Sequence, residues 1–194
     1  MKKLIVTASQ TVGPFFHFAL ERPTWGDLTA DGAKGEKIRI EGQVRDADGP
    51  VPDAFVEIWQ ANAAGKYDHP EDDQDKPLDP KFRGFGRAFT DAQGFYRFTT
   101  IRPGAVPGPG NTLQAPHINV TLFARGLLKR LVTRIYFADQ AEANDADPVL
   151  NSIDDLEARR TIIAEAKANG AESIKTYRFD IVMQGKGETA FFDI

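Results

Sequence analysis

The 194-residue sequence contains no cysteine, only three histidines and no apolar run long enough to span a membrane. The absence of thiols excludes disulfides, thiolate metal sites, iron–sulfur clusters and cysteine nucleophiles, and it is typical of a reducing compartment. The first apolar run is cut short by Gln10 and Thr11, so we expect no signal peptide. We therefore expect a cytoplasmic protein that does not bind a membrane.

An excess of basic residues is also missing, since 24 Lys and Arg stand against 28 Asp and Glu and the net charge is −4. Nucleic-acid-binding domains usually carry a basic face, so we expect partners that are small molecules or proteins. The length predicts one domain, residues 1–194, with a core large enough to need neither disulfides nor a structural metal.

The clearest pattern in the sequence is an alternation of apolar and polar residues with a period of two, which is typical of β-strands. In residues 54–60, for example, Phe55, Glu57 and Trp59 share one face of the expected strand. The pattern predicts an all-β fold built as an antiparallel sandwich. The main segments are K-I-R-I-E-G-Q-V at 37–44, A-F-V-E-I-W-Q at 54–60, H-I-N-V-T-L-F-A at 117–124, T-R-I-Y-F at 133–137 and T-Y-R-F-D-I-V-M at 176–183.

Other segments lack this alternation. Residues 61–85 are polar and rich in Asp, Lys, Gly and Pro, which predicts a long loop that is either functional or disordered. The turn sequence D-A-Q-G at 91–94 predicts a hairpin. A partial apolar stripe predicts one surface helix near residues 152–169, with Ser152 as its cap and Gly170 at its end.

His117 and Asn119 stand two positions apart in one predicted strand, so both side chains leave the same face. That is the geometry of a two-histidine metal clamp, but an amide binds a transition metal far less well than an imidazole does. A metal site, the remnant of one and an ordinary strand with a hydrogen-bonded histidine all stay open. The sequence has no nucleophile elbow, P-loop or dinucleotide-binding glycine motif.

The N-terminal segment S-Q-T-V-G-P-F-F at 9–16 fits neither a strand nor a helix pattern. Gly13 and Pro14 predict a turn, and Phe15, Phe16 and Phe18 provide aromatic surface. Residues 1–20, which we call the N-terminal arm, either fold over their own core or pack against another chain.

Seven motifs, in one order along nearly the whole chain, resemble the intradiol ring-cleavage dioxygenases. The combination is specific, although each motif by itself is short. The motifs are S-Q-T-V-G-P-F at 9–15, V-E-I-W-Q-A-N-A-A-G-K-Y at 56–67, P-L-D-P-K-F-R-G-F-G-R at 77–87, T-I-R-P-G at 100–104, A-P-H-I-N-V at 115–120, T-R-I-Y-F at 133–137 and G-E-T-A-F-F-D-I at 187–194.

The catalytic chains of that family hold a non-haem ferric ion with two tyrosines and two histidines, the latter in an H-I-H strand. On this pattern the four ligand positions fall on Gln74, Val106, His117 and Asn119, which we call vestigial, and an arginine of the catalytic chains is replaced by Gln114. The resemblance therefore implies that this chain binds no metal. It implies instead an alpha-type subunit whose homologous beta-type partner binds Fe³⁺.

The resemblance further implies a higher-order alpha/beta oligomer with each active site at an interface between the two chains. The N-terminal arm is expected to pack at that interface, where Thr11, Gly13 and Pro14 would form a wall of the substrate pocket. Arg134 is expected nearby and would favour an anionic substrate, since its guanidinium pairs with carboxylate. No residue of this chain is expected to be catalytic by itself.

The implied reaction is the cleavage of 3,4-dihydroxybenzoate between its hydroxylated carbons with O₂. The product is 3-carboxy-cis,cis-muconate, in the β-ketoadipate pathway of aromatic catabolism. Two alternatives are a self-standing iron enzyme that uses His117 with Tyr67 or Tyr96, and a non-enzymatic β-sandwich that binds a ligand or protein.

Overall fold

The structure is a computed structural model that describes residues 5–47, 49–167 and 174–193. Within this part of the chain it contains twelve strands and three short α-helices. The strands are β1 Lys37–Asp46, β2 Gly49–Pro50, β3 Phe55–Trp59, β4 Phe85–Phe89, β5 Phe95–Ile101, β6 Val106–Pro107, β7 Leu113–Gln114, β8 Ile118–Phe123, β9 Leu131–Phe137, β10 Ile163–Ala166, β11 Lys175–Arg178 and β12 Ile181–Val182. The helices are α1 Pro14–Leu20, α2 Ala141–Ala146 and α3 Leu156–Arg160.

Ten of these strands form one curled sheet, which confirms the predicted all-β class. Strand β1 pairs along one edge with β5 and β2 and along the other with β11 and β12, and the sheet continues through β10, β9, β8 and β3 to β4. The predicted antiparallel arrangement is only partly correct, because β1 pairs with β11 and β12, and β9 with β10, in parallel. The segment with α2 and α3 allows the parallel β9–β10 pair, since parallel strands need a crossover connection.

The core lies between the inner faces of this curled sheet, where alternate residues of each strand are buried. Ile38 and Ile40 of β1 and Val56 and Ile58 of β3 are at most 1% exposed. The predicted faces of β3 and β8 are therefore confirmed, and the residues between the core positions point to the outer face. That outer face of β4, β3, β8 and β9 carries the features described below.

The outer face has two ends that differ in composition. At one end Phe55 stacks on Phe123 with ring centroids 4.6 Å apart. At the other end Trp59 lies opposite Asn119, which in turn lies opposite Arg134 on β9. Trp59 and Phe55 are four residues apart on β3, which separates the two ends by roughly 13 Å.

The predicted surface helix near residues 152–169 is much shorter than expected. Among the described residues of this stretch, only Leu156–Arg160 is α-helical, and Asp155 caps it by accepting hydrogen bonds from the backbone of residues 157 and 158. Ser152 instead lies in a 3-10 turn, where its hydroxyl donates to Val149 O at 2.7 Å. Residues 168–169 and Gly170 lie outside the described residues.

The C-terminal half of the expected helix is strand β10, Ile163–Ala166, which pairs with β9 on one side and β11 on the other. Ile162 and Ala164 are fully buried and Ile163 between them is only partly buried, so burial here alternates with the period of a strand and does not follow a helical stripe. Pairing on both edges outweighs the high helix propensity of Ala164, Glu165 and Ala166.

The turn at 91–94 does not close the predicted hairpin. Its two flanking strands separate, since β4 pairs with β3 whereas β5 pairs with β1. The turn therefore passes the chain from one part of the curled sheet to another.

The N-terminal arm contains helix α1, which its sequence did not predict. Pro14 opens the helix, a position where its fixed φ and missing N–H carry no penalty. Residues 1–4 of the arm lie outside the described residues. None of the described helices is long and apolar enough to cross a bilayer.

Candidate functional site at His117

A pocket of about 480 Å³ opens at the Trp59 end of the outer face. It brings together three of the four vestigial positions, and the fourth, Asn119, hydrogen-bonds a residue of its wall. We call it the His117 pocket. The lining residues that matter below are Trp59, Tyr67, Gln74, Val106, His117 and Arg134.

His117 is only 3% exposed, and its Nδ1 lies 2.8 Å from Ala115 O. A carbonyl oxygen can only accept, so Nδ1 carries the proton and Nε2 is left as an acceptor. Burial, together with the charge of Arg134, lowers the pKa of His117 to about 4. The imidazole is therefore neutral at physiological pH.

Asn119 turns its amide nitrogen toward the wall of the pocket. Its Nδ2 donates to Trp59 O at 3.3 Å and to Tyr67 Oη at 3.4 Å. The Tyr67 ring stacks on Trp59 with centroids 5.8 Å apart. Burial raises the pKa of Tyr67, so its hydroxyl stays a neutral phenol.

Gln74 makes hydrogen bonds within the long loop that lines the pocket. Its Nε2 donates to Gly65 O and to both carboxylate oxygens of Asp72, each at 3.1 Å. Asp72 also accepts the backbone N–H of Tyr67 at 2.8 Å and lies 3.6 Å from Lys66 Nζ. The prediction of a long loop between β3 and β4 is thus confirmed, and the Asp72 carboxylate organises part of it.

Arg134 has hydrogen bonds but no ion pair. Its Nη1 donates to Gln114 Oε1 at 2.7 Å and to Tyr136 Oη at 3.3 Å. Among the described residues no carboxylate lies within salt-bridge distance of its guanidinium. The Tyr136 hydroxyl, which accepts from Arg134, donates in turn to the buried carboxylate of Asp147 at 3.1 Å, so Arg134 is linked to that carboxylate through one hydroxyl.

Sequence reasoning missed Asp147, a fully buried carboxylate behind the pocket. It accepts hydrogen bonds from the backbone of Ala115 and Leu150 at 2.7 Å and of Val149 at 2.8 Å, and from Tyr136 Oη at 3.1 Å. These contacts fix the segment that leads into β8. An aspartate in a polar turn before proline gives no local signal for this role.

The donor atoms of this pocket do not fit a ferric ion. Val106 has no donor, and Gln74 and Asn119 offer only neutral amide oxygens, since their amide nitrogens are hydrogen-bond donors. That leaves the imidazole of His117 and a neutral Tyr67, whereas Fe³⁺ needs strong anionic oxygen ligands. Within the described ranges no three His, Asp or Glu side chains are grouped so that they could hold a metal ion.

Tyr96, the other tyrosine considered as a replacement ligand, is not near His117 in this arrangement. It is buried in the core, where its hydroxyl donates to Phe179 O at 2.6 Å. Of the two tyrosines considered, Tyr67 is the one that lines the His117 pocket.

The arm residues lie at the opposite end of the outer face. Thr11 Oγ1 accepts the backbone N–H of Gly126 at 2.7 Å, in the turn between β8 and β9. Gly13 and Pro14 begin α1, and the His17 ring on that helix lies 4.7 Å from the Phe89 ring. Within this chain, Thr11, Gly13 and Pro14 are therefore together, and they do not line the His117 pocket.

Arg134, which we expected on the same pocket wall as the arm, lies instead with the vestigial positions. Its predicted place in a substrate pocket shared with a partner stays a prediction. The arm also exposes large apolar side chains, with Phe15 82% and Phe18 75% exposed.

Comparisons with known proteins identify related chains. A dioxygenase family model matches residues 13–185. The protocatechuate 3,4-dioxygenase alpha chain of Pseudomonas putida is 42% identical, over 96% of each chain. The beta chain of the same enzyme from Burkholderia cepacia is 40% identical over 95% of this chain and 78% of its own length.

The fold is also similar to that of a solved intradiol enzyme. The catechol 1,2-dioxygenase of Pseudomonas arvilla C-1 matches with a TM-score of 0.57 and 24% identity, over 80% of this chain and 54% of that chain. Family enzymes of this kind use non-haem iron, which the donor set of the His117 pocket does not fit. The chain belongs to the intradiol ring-cleavage dioxygenase family, as a subunit similar over nearly its full length to the protocatechuate 3,4-dioxygenase alpha chains.

Proposed function

We propose that this chain is the iron-free alpha-type subunit of a protocatechuate 3,4-dioxygenase and works with a homologous beta-type chain that binds Fe³⁺. The observation that carries the proposal is the His117 pocket itself. Three of the four vestigial positions line one pocket and the fourth, Asn119, hydrogen-bonds its wall, yet together they offer a single imidazole. A family chain with this pocket needs a partner for the chemistry.

In the assembled enzyme the substrates would be 3,4-dihydroxybenzoate and O₂, and the product 3-carboxy-cis,cis-muconate. The partner's ferric ion would supply Lewis-acid chemistry toward the two hydroxyl oxygens. This chain would supply a wall of the substrate pocket and part of the assembly, with no acid, base or metal ligand of its own.

The residues we assign to that wall are Thr11, Gly13 and Pro14 at the start of the arm. The exposed phenylalanines of α1 support this assignment, because a contiguous apolar surface on a soluble chain is typical of an interface. We propose that residues 1–194 form one domain whose arm, residues 1–20, packs on the partner. The absence of cysteine from the sequence supports a cytoplasmic location.

The proposal is tested by purifying the full chain alone and after co-expression with a beta-type chain that has both tyrosines and an intact H-I-H strand. We expect no stoichiometric iron in the chain alone, and iron with 3,4-dihydroxybenzoate-dependent O₂ uptake in the complex. Iron and activity in the chain alone would favour the self-standing enzyme, which the proximity of Tyr67 and His117 makes the second candidate. A chain that forms no complex would favour the non-enzymatic module.

Arg134 needs its own experiment, because in this chain it lies away from the arm. If it also acts on the substrate carboxylate, Arg134→Ala in the complex raises KM for 3,4-dihydroxybenzoate more than it lowers the iron content. Unchanged kinetics would show that Arg134 does not contact the substrate and belongs only to the His117 pocket.

A further inference from the structure

The curled sheet is open between strands β4 and β5. In the described sheet β4 is a terminal strand that pairs with β3, whereas β5 pairs with β1. One end of the gap is closed by a hydrogen bond of 2.9 Å from Leu28 N–H to Thr99 O, and the other end by the turn that joins β4 to β5. Between these ends lies a cleft of about 790 Å³, lined among others by residues 87–89 and 95–97, which we call the strand cleft.

The wall of the strand cleft on β4 is a free strand edge. Thr90 N–H donates to Ala54 O at 2.9 Å, so the even-numbered residues of β4 turn their peptide groups toward β3. Arg87 and Phe89 therefore turn their N–H and C=O groups toward the cleft. Among the described residues these backbone groups have no hydrogen-bond partner. Such an edge is a template for a further strand.

Cations with available donors line the same cleft. Arg97 is 66% exposed, and its Nε lies 3.6 Å from a carboxylate oxygen of Glu41. Lys167, whose side chain is 45% exposed, pairs with the same carboxylate. Arg22 is exposed and donates one hydrogen bond to a backbone oxygen. All three cations therefore retain donors for a further anionic partner.

The other charges of the cleft are already engaged. Glu21 lies 3.2 Å from His17 Nε2, and the Asp91 carboxylate accepts two backbone N–H groups at 2.9 Å. The two remaining arginines are in ion pairs, Arg87 with Glu57 and Arg178 with Asp180. The groups left without full compensation are thus the three cations and the peptide groups of the β4 edge.

We propose that the strand cleft binds an extended acidic segment of another protein chain, which adds to the free edge of β4. The segment exchanges backbone hydrogen bonds with Arg87 and Phe89, the mode in which main-chain bonds give affinity and side chains give specificity. Its carboxylates contact the three cations, and Phe95, which is 43% exposed, is available to its apolar side chains. The inference does not depend on the proposed function, because every residue that carries it belongs to this chain.

Hydrogen exchange of the isolated full chain, followed by NMR, tests the free edge. We expect the amides of Arg87 and Phe89 to exchange at least about tenfold faster than that of Ala88, whose peptide group faces β3. Equal protection of the three amides would mean that the edge is already covered within the chain, and would overturn the proposal.

Peptide binding tests the ligand. The probe is the acetylated and amidated peptide E-V-E-V-E, and its controls are K-V-K-V-K and a backbone N-methylated E-V-E-V-E. At low ionic strength we expect saturable binding of the probe, with protection of the Arg87 and Phe89 amides and no change at Ala88. Each control should bind at least about tenfold more weakly, because one reverses the charge and the other removes the backbone donors. No saturable binding of the probe, or equal binding of either control, would contradict the proposal.

Arg97→Gln locates the peptide on the molecule, and Arg125→Gln is the matched control. Arg125 is 64% exposed and, like Arg97, lies 3.6 Å from one carboxylate. We expect Arg97→Gln to weaken binding of the probe at least about threefold and the control to bind as the wild type does. Equal effects of the two substitutions would show that the peptide responds to the overall charge of the chain and not to the strand cleft.

Discussion

The two ends of the outer sheet face differ in how their side chains are accommodated: polar side chains are hydrogen-bonded within the chain at one end, and apolar side chains are exposed at the other. At the His117 end the side chains are largely satisfied within the chain: Asp147 has four donors, and Asn119 and Gln74 are both hydrogen-bonded. At the arm end Phe15 and Phe18 are mostly exposed, and the arm is attached through a few contacts such as that of Thr11. The polar groups at the pocket end are bonded within one chain, whereas the arm end leaves apolar surface exposed.

This difference predicts that changes at the two ends act on different quantities. A residue whose partners are all internal should affect the free energy of unfolding of the isolated chain. A residue whose surface is exposed in the isolated chain should affect association instead, because burial against a partner is where its apolar area counts.

The largest effect is expected for Asp147→Ala at the pocket end. The variant leaves two buried backbone N–H groups, the partly buried N–H of Val149 and the Tyr136 hydroxyl without their acceptor, which should lower the free energy of unfolding by about 3–5 kcal/mol. Urea unfolding of the isolated chain measures this. The exposed Asp145 provides the control, since Asp145→Ala should change stability by less than about 0.5 kcal/mol. Equal effects of the two variants would contradict the role of Asp147.

The next largest effect is expected at the arm end, where substitutions should change the affinity for the beta-type chain and not the stability of the isolated chain. Phe15→Ser with Phe18→Ser should weaken binding to the beta-type chain by about 3 kcal/mol, since each ring buried at an interface is worth about 1.5–3 kcal/mol. The unfolding of the isolated double variant should stay within about 0.5 kcal/mol of the wild type. Leu156→Ser, which removes another exposed apolar side chain, is the control for association.

If the double variant instead unfolds the isolated chain, the arm packs on its own core and the comparison of the two ends fails. That outcome would also favour the first of the two alternatives that the sequence left open for the arm. Unchanged association with the beta-type chain would remove α1 from the interface.

A smaller effect is the pH dependence that His117 gives to the pocket end. Its pKa is about 4 in the folded chain and about 6.5 when unfolded, so the unfolded state binds the extra proton between these values. The full stability is present above pH 6.5 and is lost as pH falls toward 4. Between pH 7 and pH 5 the loss should be about 2 kcal/mol.

Urea unfolding at the two pH values checks this, and His117→Gln should remove that part of the dependence. His69→Gln keeps His117 in place and should therefore retain it. A wild-type dependence that survives in His117→Gln would mean that other groups cause it.

The sequence was sufficient for those parts of the fold that depend on local alternation. Val56, Ile58 and Val120 are buried as their period predicted, and the faces of β3 and β8 follow. The segment at 163–166 could not be assigned, because its pairing with β9 and β11 is decided by distant residues. A local pattern also cannot predict that β1 pairs with β11 and β12, and β9 with β10, in parallel.

The site was predictable to the extent that it follows a family pattern. Gln74 and Val106 were placed beside His117 by motif position, and the structure brings them to one pocket. The alternation predicts that Trp59 shares a strand face with Phe55 and Glu57, but only its register opposite Asn119 shows that it lies in the pocket wall. Asp147 reaches Ala115 from 32 residues away, a contact that no local spacing indicates.

The smallest effect should come from Thr11, which attaches the arm to the turn between β8 and β9. Thr11→Val keeps the shape but removes the acceptor for the N–H of Gly126, a bond at an exposed site. The free energy of unfolding should change by less than about 0.5 kcal/mol, because water replaces the lost partner. Hydrogen exchange at the Gly126 amide should nevertheless become faster, since its protection comes from this contact, while Thr11→Ser should restore it. Unchanged exchange in Thr11→Val would show that the arm is held by its other contacts, and the arm end would then be more self-contained than its exposed phenylalanines indicate.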